Sequence, residues 1–264
     1  MGVDVRARAL KIERIDRTLV WTIARPEAKN ALNRETMDLL IRALDDAAKD
    51  PTLRAVVITG EGDAFVSGGD LRELRDATTH GQAEEFSRAG AELCAKLEEL
   101  PVPVIAAIPG PAFGGGAELA LACDLRVADT RARLSFRQVR MGVTTAWGTI
   151  PRLINLVGRG TAARLLYTSH EISAAEARAT GLVDEVVANG SCVEVAIAWS
   201  LDVTQGSPSA IASMKALLRS ACAPTEALAA EERRRFVDTW TAADHAEAMN
   251  AYFERRPPKW RDRS

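Results

Sequence analysis

The sequence predicts an α/β fold. Three features carry that expectation. In the first half, short apolar runs of strand length alternate with stretches of helical periodicity. Two of those runs lead directly into glycine-bearing loops, at Ser67-Gly68-Gly69-Asp70 and at Gly114-Gly115-Gly116. From Ser191 onward the pattern is almost wholly helical.

Residues 7–23 read as two strands, with Ile12, Ile15, Leu19, Trp21 and Ile23 as apolar members and Asp16-Arg17 as the turn. Residues 25–32 form a loop. Asn33 then caps a helix, with Thr36 standing where a capping box would carry Glu or Gln. Met37, Leu40, Ile41, Leu44 and Ala48 recur at helical spacing until Pro51. Residues 54–60 are a continuous apolar strand of the kind buried on both faces. The loop 61–71 follows, and then a helix over about 83–100 carrying Phe86, Ala89, Leu93 and Leu97. A strand at 103–108 breaks at Pro109-Gly110-Pro111 and runs through the three glycines into strong helix formers. Residues 124–128 are a further strand, 150–157 and 161–168 are helical, and Ser-Ala-Ala-Glu from Ser173 is a capping box for a helix that stops at Gly181. Residues 183–187 make a short strand. The helical end is interrupted near Gly206 to Pro208 and at Pro224, so the expected division is an α/β core over 1–205 and a helical region over 206–264.

Composition narrows the function. Hydrophobic residues at 47% and charged residues at 27% are ordinary for a globular chain of 264 residues. A formal net charge of −2 gives no reason to expect nucleic acid or an acidic membrane surface as partner. The apolar runs are too short to span a bilayer, and the N-terminus lacks the apolar core of a signal peptide. Cys94, Cys123, Cys192 and Cys222 are scattered without metal spacing and read as buried thiols in a reducing, cytoplasmic setting. His80, His170 and His245 show no metal-site spacing, so neither a metal nor a histidine triad is expected.

The chemistry gathers at the three glycines. A strand, a glycine turn and a helix start aim unpaired N–H groups at a ligand. Each glycine loop can also be a plain turn that needs positive φ. The helix after Gly116 is apolar on every side, so it should be buried, and before Asp124 its one charged side chain is Glu118. A first-turn Glu gains roughly 0.3–1 kcal/mol from the helix dipole. Burying an ionised carboxylate costs several kcal/mol. Local structure therefore does not account for Glu118.

Several segments in order resemble the crotonase, or enoyl-CoA hydratase/isomerase, superfamily. They are Arg25-Pro26-Glu27-Ala28-Lys29-Asn30-Ala31-Leu32, Ala64-Phe65-Val66-Ser67-Gly68-Gly69-Asp70-Leu71, Gly114-Gly115-Gly116-Ala117-Glu118-Leu119, Met141-Gly142-Val143 with Ala146-Trp147-Gly148, and Ile172-Ser173-Ala174-Ala175-Glu176-Ala177 with Gly181-Leu182-Val183. Together they cover about residues 10 to 190. The resemblance implies a spiral of ββα turns with a helical C-terminal region used in trimerisation, often as a dimer of trimers. It also implies acyl-CoA thioester substrates and no cofactor beyond the coenzyme A that the substrate carries. Two backbone N–H groups, here those of Gly69 and Gly115, would bind the developing enolate oxygen. Arg25, Ala28, Ala31, Ser67, Gly68, Asp70, Leu71 and Arg72 match segments that line the CoA and acyl site, with Trp147 nearby. Arg72 is either a CoA-phosphate contact or a solvated charge. Phe65, Leu134, Phe136 and Trp147 are candidates for the pocket wall.

Glu118 matches the first of two glutamates that hydratases of this superfamily use to hold and activate water. At the position of the second stands Gln138, in Leu134-Ser135-Phe136-Arg137-Gln138-Val139. An amide hydrogen-bonds but exchanges no proton at neutral pH, and residues 130–170 contain no Asp or Glu. Three functions stay open: a hydratase-like or dehydratase-like lyase with Glu118 as acid/base and Gln138 positioning water or substrate, with enoyl-CoA isomerisation as a variant; a decarboxylase of malonyl-type thioesters with Arg137 or Arg140 on the substrate carboxylate; and a CoA-binding homologue without turnover. The hydratase-like lyase is the leading expectation.

Overall fold

A computed structural model describes residues 9–222 and 225–260. The Cys222 side chain, the expected break at Pro224 and residues 261–264 lie outside the described residues. The first two strands, β1 (Leu10–Ile15) and β2 (Thr18–Ile23), form an antiparallel hairpin turning at Asp16, whose φ is 52°. Four more strands extend the sheet in parallel: β3 (Ala55–Gly60), β4 (Val104–Ile108), β6 (Leu125–Asp129) and β9 (Glu185–Val187), in the order β1-β2-β3-β4-β6-β9.

The central strands are buried on both faces, as their continuous apolar runs require. Alternate residues serve two cores. Val56, Ile58, Val104, Ala106 and Ile108 join the large core, whereas Val57, Ile105 and Val127 pack beneath α7 (Cys192–Thr204) against Cys192 and Ala196. Cys94, Cys123 and Cys192 are free and buried.

The helices follow their local signals with a few displacements. In α1 (Arg34–Ala48), Asn33 Oδ1 accepts from the Thr36 N–H at 2.9 Å, and the buried face ends at Ala47, with Ala48 exposed. After the single turn α2 (Leu71–Leu74), helix α3 (His80–Glu99) begins three residues before the apolar pattern, because Thr79 and Gln82 form a full capping box. Its inner face adds Ser87, Gly90 and Cys94, and leaves Phe86 and Ala89 half-buried. The two expected helices after residue 149 are both present in α5 (Thr149–Thr168), separated at Gly158, whose φ of 73° and ψ of 160° are not helical. Helix α6 (Ala174–Thr180) starts at the Ser173–Glu176 capping box and stops at Gly181 with φ 82°.

A second sheet was not legible in the pattern. It joins β5 (Ala112–Phe113), β7 (Arg133–Ser135) and β8 (Ile172–Ser173), each of two or three residues and too short for periodicity to register. It packs beside α4 (Gly115–Ala122), every residue of which is buried. Beyond the Gly206 break come α8 (Pro208–Cys222), α9 (Glu226–Trp240) and α10 (Ala243–Glu254). Helix α9 lies along α3, and α10 packs on α9 and on the 3-10 turn Gln138–Met141. Among the described residues, no helix is long and apolar enough to cross a membrane.

Candidate active site

The two glycine loops meet because β3 and β4 are adjacent and parallel. Both chains leave the same sheet edge, where ligands of open α/β folds bind. Bridges at Val66–Ala112 and Leu32–Gly69 tie the loops together and to residues 25–32. Gly68 and Gly114 take φ of +117° and +51°, which L side chains rarely adopt. Gly115 is the first residue of α4, so its N–H has no intrahelical acceptor. Among the described residues, neither the Gly69 nor the Gly115 N–H donates to a loop carbonyl. A side chain at Gly115 is sterically excluded: its Cβ would lie 2.5 Å from Cη2 of Trp147. The same indole fills the gap above Gly90, where a Cβ would lie 2.0 Å from Cε2. Trp147 thus wedges between α3 and α4 and sets the position of the Gly115 amide.

Every residue that the sequence marks as catalytic or substrate-binding lines one cavity of about 1500 Å³. Glu118 sits in it at 4% exposure. Its Oε1 accepts from the Thr149 hydroxyl at 2.5 Å and from the N–H groups of Ala146 and Trp147, each at 3.3 Å. Its Oε2 accepts from Gln138 Nε2 at 2.8 Å. Burial pushes the carboxyl up from its ordinary 4.5 to about 7, partly offset by the Thr149 hydrogen bond, while the like charge of Glu232 pushes the same way as burial. The other end of the Gln138 amide, Oε1, is buried without a protein partner.

Other expected residues are partly engaged with one another. Arg25 pairs with Asp70 at 2.8 Å and also donates to the Ala31 carbonyl. Asp70 accepts from the Arg72 N–H at 3.1 Å, and Ser67 Oγ donates to the Ala28 carbonyl at 3.2 Å. Arg137 lies 3.6 Å over the Phe113 ring and pairs with Glu171 at 2.9 Å, and Arg140 donates to the Thr168 carbonyl at 3.2 Å. A substrate carboxylate would have to compete with those partners. Phe65, Leu134 and Phe136 belong to the buried core and not to the cavity wall; only Trp147 of that group lines it.

Several participants escape the sequence pattern. Phe236, Trp240, His245, Met249 and Tyr252, on α9 and α10, close one side of the cavity, so its walls come from both sides of the Gly206 break. His245 Nδ1 lies 2.6 Å from the Met141 carbonyl, and burial lowers its pKa. Thr149 gave no signal beyond its place at a helix start. Asn30 did offer one: Asn is among the few residues that tolerate φ > 0. It takes φ 57°, is fully buried, and donates to the Glu61 and Ala64 carbonyls at 2.9 and 2.8 Å.

Comparison with known proteins agrees with this geometry. A family model described as enoyl-CoA hydratase/isomerase matches residues 16–263. The short-chain-enoyl-CoA hydratase of Clostridium acetobutylicum is 34% identical over 247 residues, covering 93% of this chain and 94% of that one. The 2,3-dehydroadipyl-CoA hydratase of Escherichia coli is 32% identical over 255 residues, covering 96% and 99%. An enoyl-CoA hydratase/isomerase structure from Pseudoalteromonas atlantica superposes with a TM-score of 0.87 at 28% identity, covering 96% of this chain and 100% of that one. The chain belongs to the enoyl-CoA hydratase/isomerase family of the crotonase superfamily.

Proposed function

We propose that this protein is an acyl-CoA lyase that adds water to 2-enoyl-CoA thioesters. The observation that carries the reading is the buried Glu118 carboxyl, held by four donors beside two glycine N–H groups. The thioester oxygen accepts from Gly69 and Gly115 as negative charge develops on it. Preorganised donors of this kind contribute roughly 2.7–4 kcal/mol each to lowering the barrier. Ionised Glu118 takes a proton from water as the water oxygen bonds to Cβ and the Cα=Cβ electrons move into the enolate. Glu118 then returns that proton to Cα. A carboxyl poised at about 7 suits both transfers. Gln138 donates to Glu118 and offers its unpartnered Oε1 to the water, so it positions and does not titrate.

The names of the relatives support an acyl-CoA substrate, with coenzyme A carried by it and no separate cofactor. Met214, Leu217 and Leu218, exposed along α8, support a homotrimer or dimer of trimers built through the region after Gly206. Free, buried thiols support a cytoplasmic setting. The test offers purified protein crotonyl-CoA and, separately, methylmalonyl-CoA. Hydration at ordinary enzyme rates is expected. CO₂ release without hydration would replace this reading with decarboxylation, and binding without turnover of either would remove the enzyme.

A further inference from the structure

The loop that holds Glu118, residues 144–148, is itself held from outside the cavity by two charged side chains, one half-buried and one buried. Arg152 on α5 donates to the Trp147 carbonyl and makes a two-pronged pair with Glu98 on α3, at 2.8 and 2.6 Å. On the other side, Thr145 Oγ1 donates to Glu232 Oε1 at 2.5 Å. Glu232 is 6% exposed, on α9, and does not line the cavity. It shares a helix face with Phe236, four residues on, which does line it. A buried carboxylate on a packing helix costs stability unless it has a partner. Here a hydroxyl supplies that partner, on the loop whose next two N–H groups grip the acid.

We propose that Glu232 is a positioning residue: through Thr145 it fixes the 144–148 loop so that the Ala146 and Trp147 N–H groups meet Glu118, linking the docking of α9 to the state of the acid. Glu232 thereby acts on Glu118 from the C-terminal region, through the loop and without touching substrate. This rests on the enoyl-CoA reading for its kinetic arm only. The titratable and charged groups around Glu118 are Cys94 and Glu98 on α3, Arg152 on α5 and Glu232 on α9, with Arg137 and Arg140 flanking Gln138 on the 3-10 turn. Cys94 is pushed up by burial and stays neutral, and Glu98 is ion-paired with Arg152. Of these, Glu232 is the one whose like charge bears on the Glu118 carboxyl.

Two substitutions separate position from charge. Glu232→Gln keeps an acceptor for Thr145 and removes the carboxylate. Thr145→Val removes the link and keeps the volume. The Glu118 carboxyl is titrated by infrared difference spectroscopy against Glu118→Gln as background, which requires no turnover. In Glu232→Gln its midpoint moves to lower pH, with kcat on the plateau within about threefold of wild type. In Thr145→Val, kcat for crotonyl-CoA falls by about 10- to 100-fold with KM little changed. A midpoint unmoved in Glu232→Gln, or wild-type kcat in Thr145→Val, overturns the proposal. If the wild-type protein hydrates no enoyl-CoA, the functional reading fails and the carboxyl titration alone decides the role of Glu232.

Discussion

At the scale of single residues, the proposed activity turns on Glu118, a carboxyl placed where its charge is costly. The folded value of Glu118, about 7, lies above its ordinary 4.5, so the native state keeps a proton that the unfolded chain releases. Stability from this group is therefore full below pH 4.5 and is lost as pH rises through 7. The loss is about 3 kcal/mol, as an order of magnitude. Glu118→Gln removes it and retains acceptors for Thr149, Ala146 and Trp147. Its new amide N–H meets Gln138 if that side chain turns its Oε1 inward, which also satisfies the orphaned oxygen. Urea unfolding should show the variant gaining about 3 kcal/mol over wild type between pH 4.5 and 8.5. An equal difference at both pH values would place the Glu118 proton elsewhere. Glu118 was legible in the sequence as a charge with no local reason to be buried. Its partner Thr149 was not, since a threonine at a helix start reads only as a cap.

At the scale of elements, strands of five or six residues and capped helices announced themselves, and the two-residue strands did not. β5 and β8 are made by pairing with chain far away in sequence, so no local pattern encodes them. Helix α8 shows the same dependence. Its exposed side chains gave no clue to what docks it, yet Lys215 reaches inward to the Leu97 and Val102 carbonyls, each at 2.9 Å, and pairs with Asp124 at 2.7 Å. One ammonium thus joins the end of α3, the approach to β4 and the end of α4 to α8. Lys215→Met should cost about 3 kcal/mol in urea unfolding, at the low end for a broken buried pair because Asp124 is 31% exposed. A loss under about 0.5 kcal/mol, the range of ordinary surface changes, would mean that α8 is docked by other contacts.

For the whole molecule, the glycine loops, Glu118 and Gln138 were legible because they lie on motifs with fixed spacing. The wall from α9 and α10 was not, because a helical pattern does not say which surface it will cover. The break at Gly206 was visible, but the chain beyond it returns to line the cavity. That leaves α8 with Met214, Leu217 and Leu218 at 62%, 69% and 68% exposure, an apolar row that the fold does not cover. Light scattering should report the trimer proposed above, or its multiple, for the wild-type chain, and the 28.5 kDa monomer once Leu217 and Leu218 are both changed to Glu. An unchanged mass would put the subunit contact on another face.

The central claim is that one carboxyl, Glu118, carries the proton transfers. The most direct measurement is the pH dependence of crotonyl-CoA hydration by the wild-type protein and by Glu118→Gln. Wild-type kcat should rise through about pH 7, and the variant should be slower by about 10²- to 10⁴-fold with its fold intact. A variant that keeps the wild-type kcat would contradict the claim.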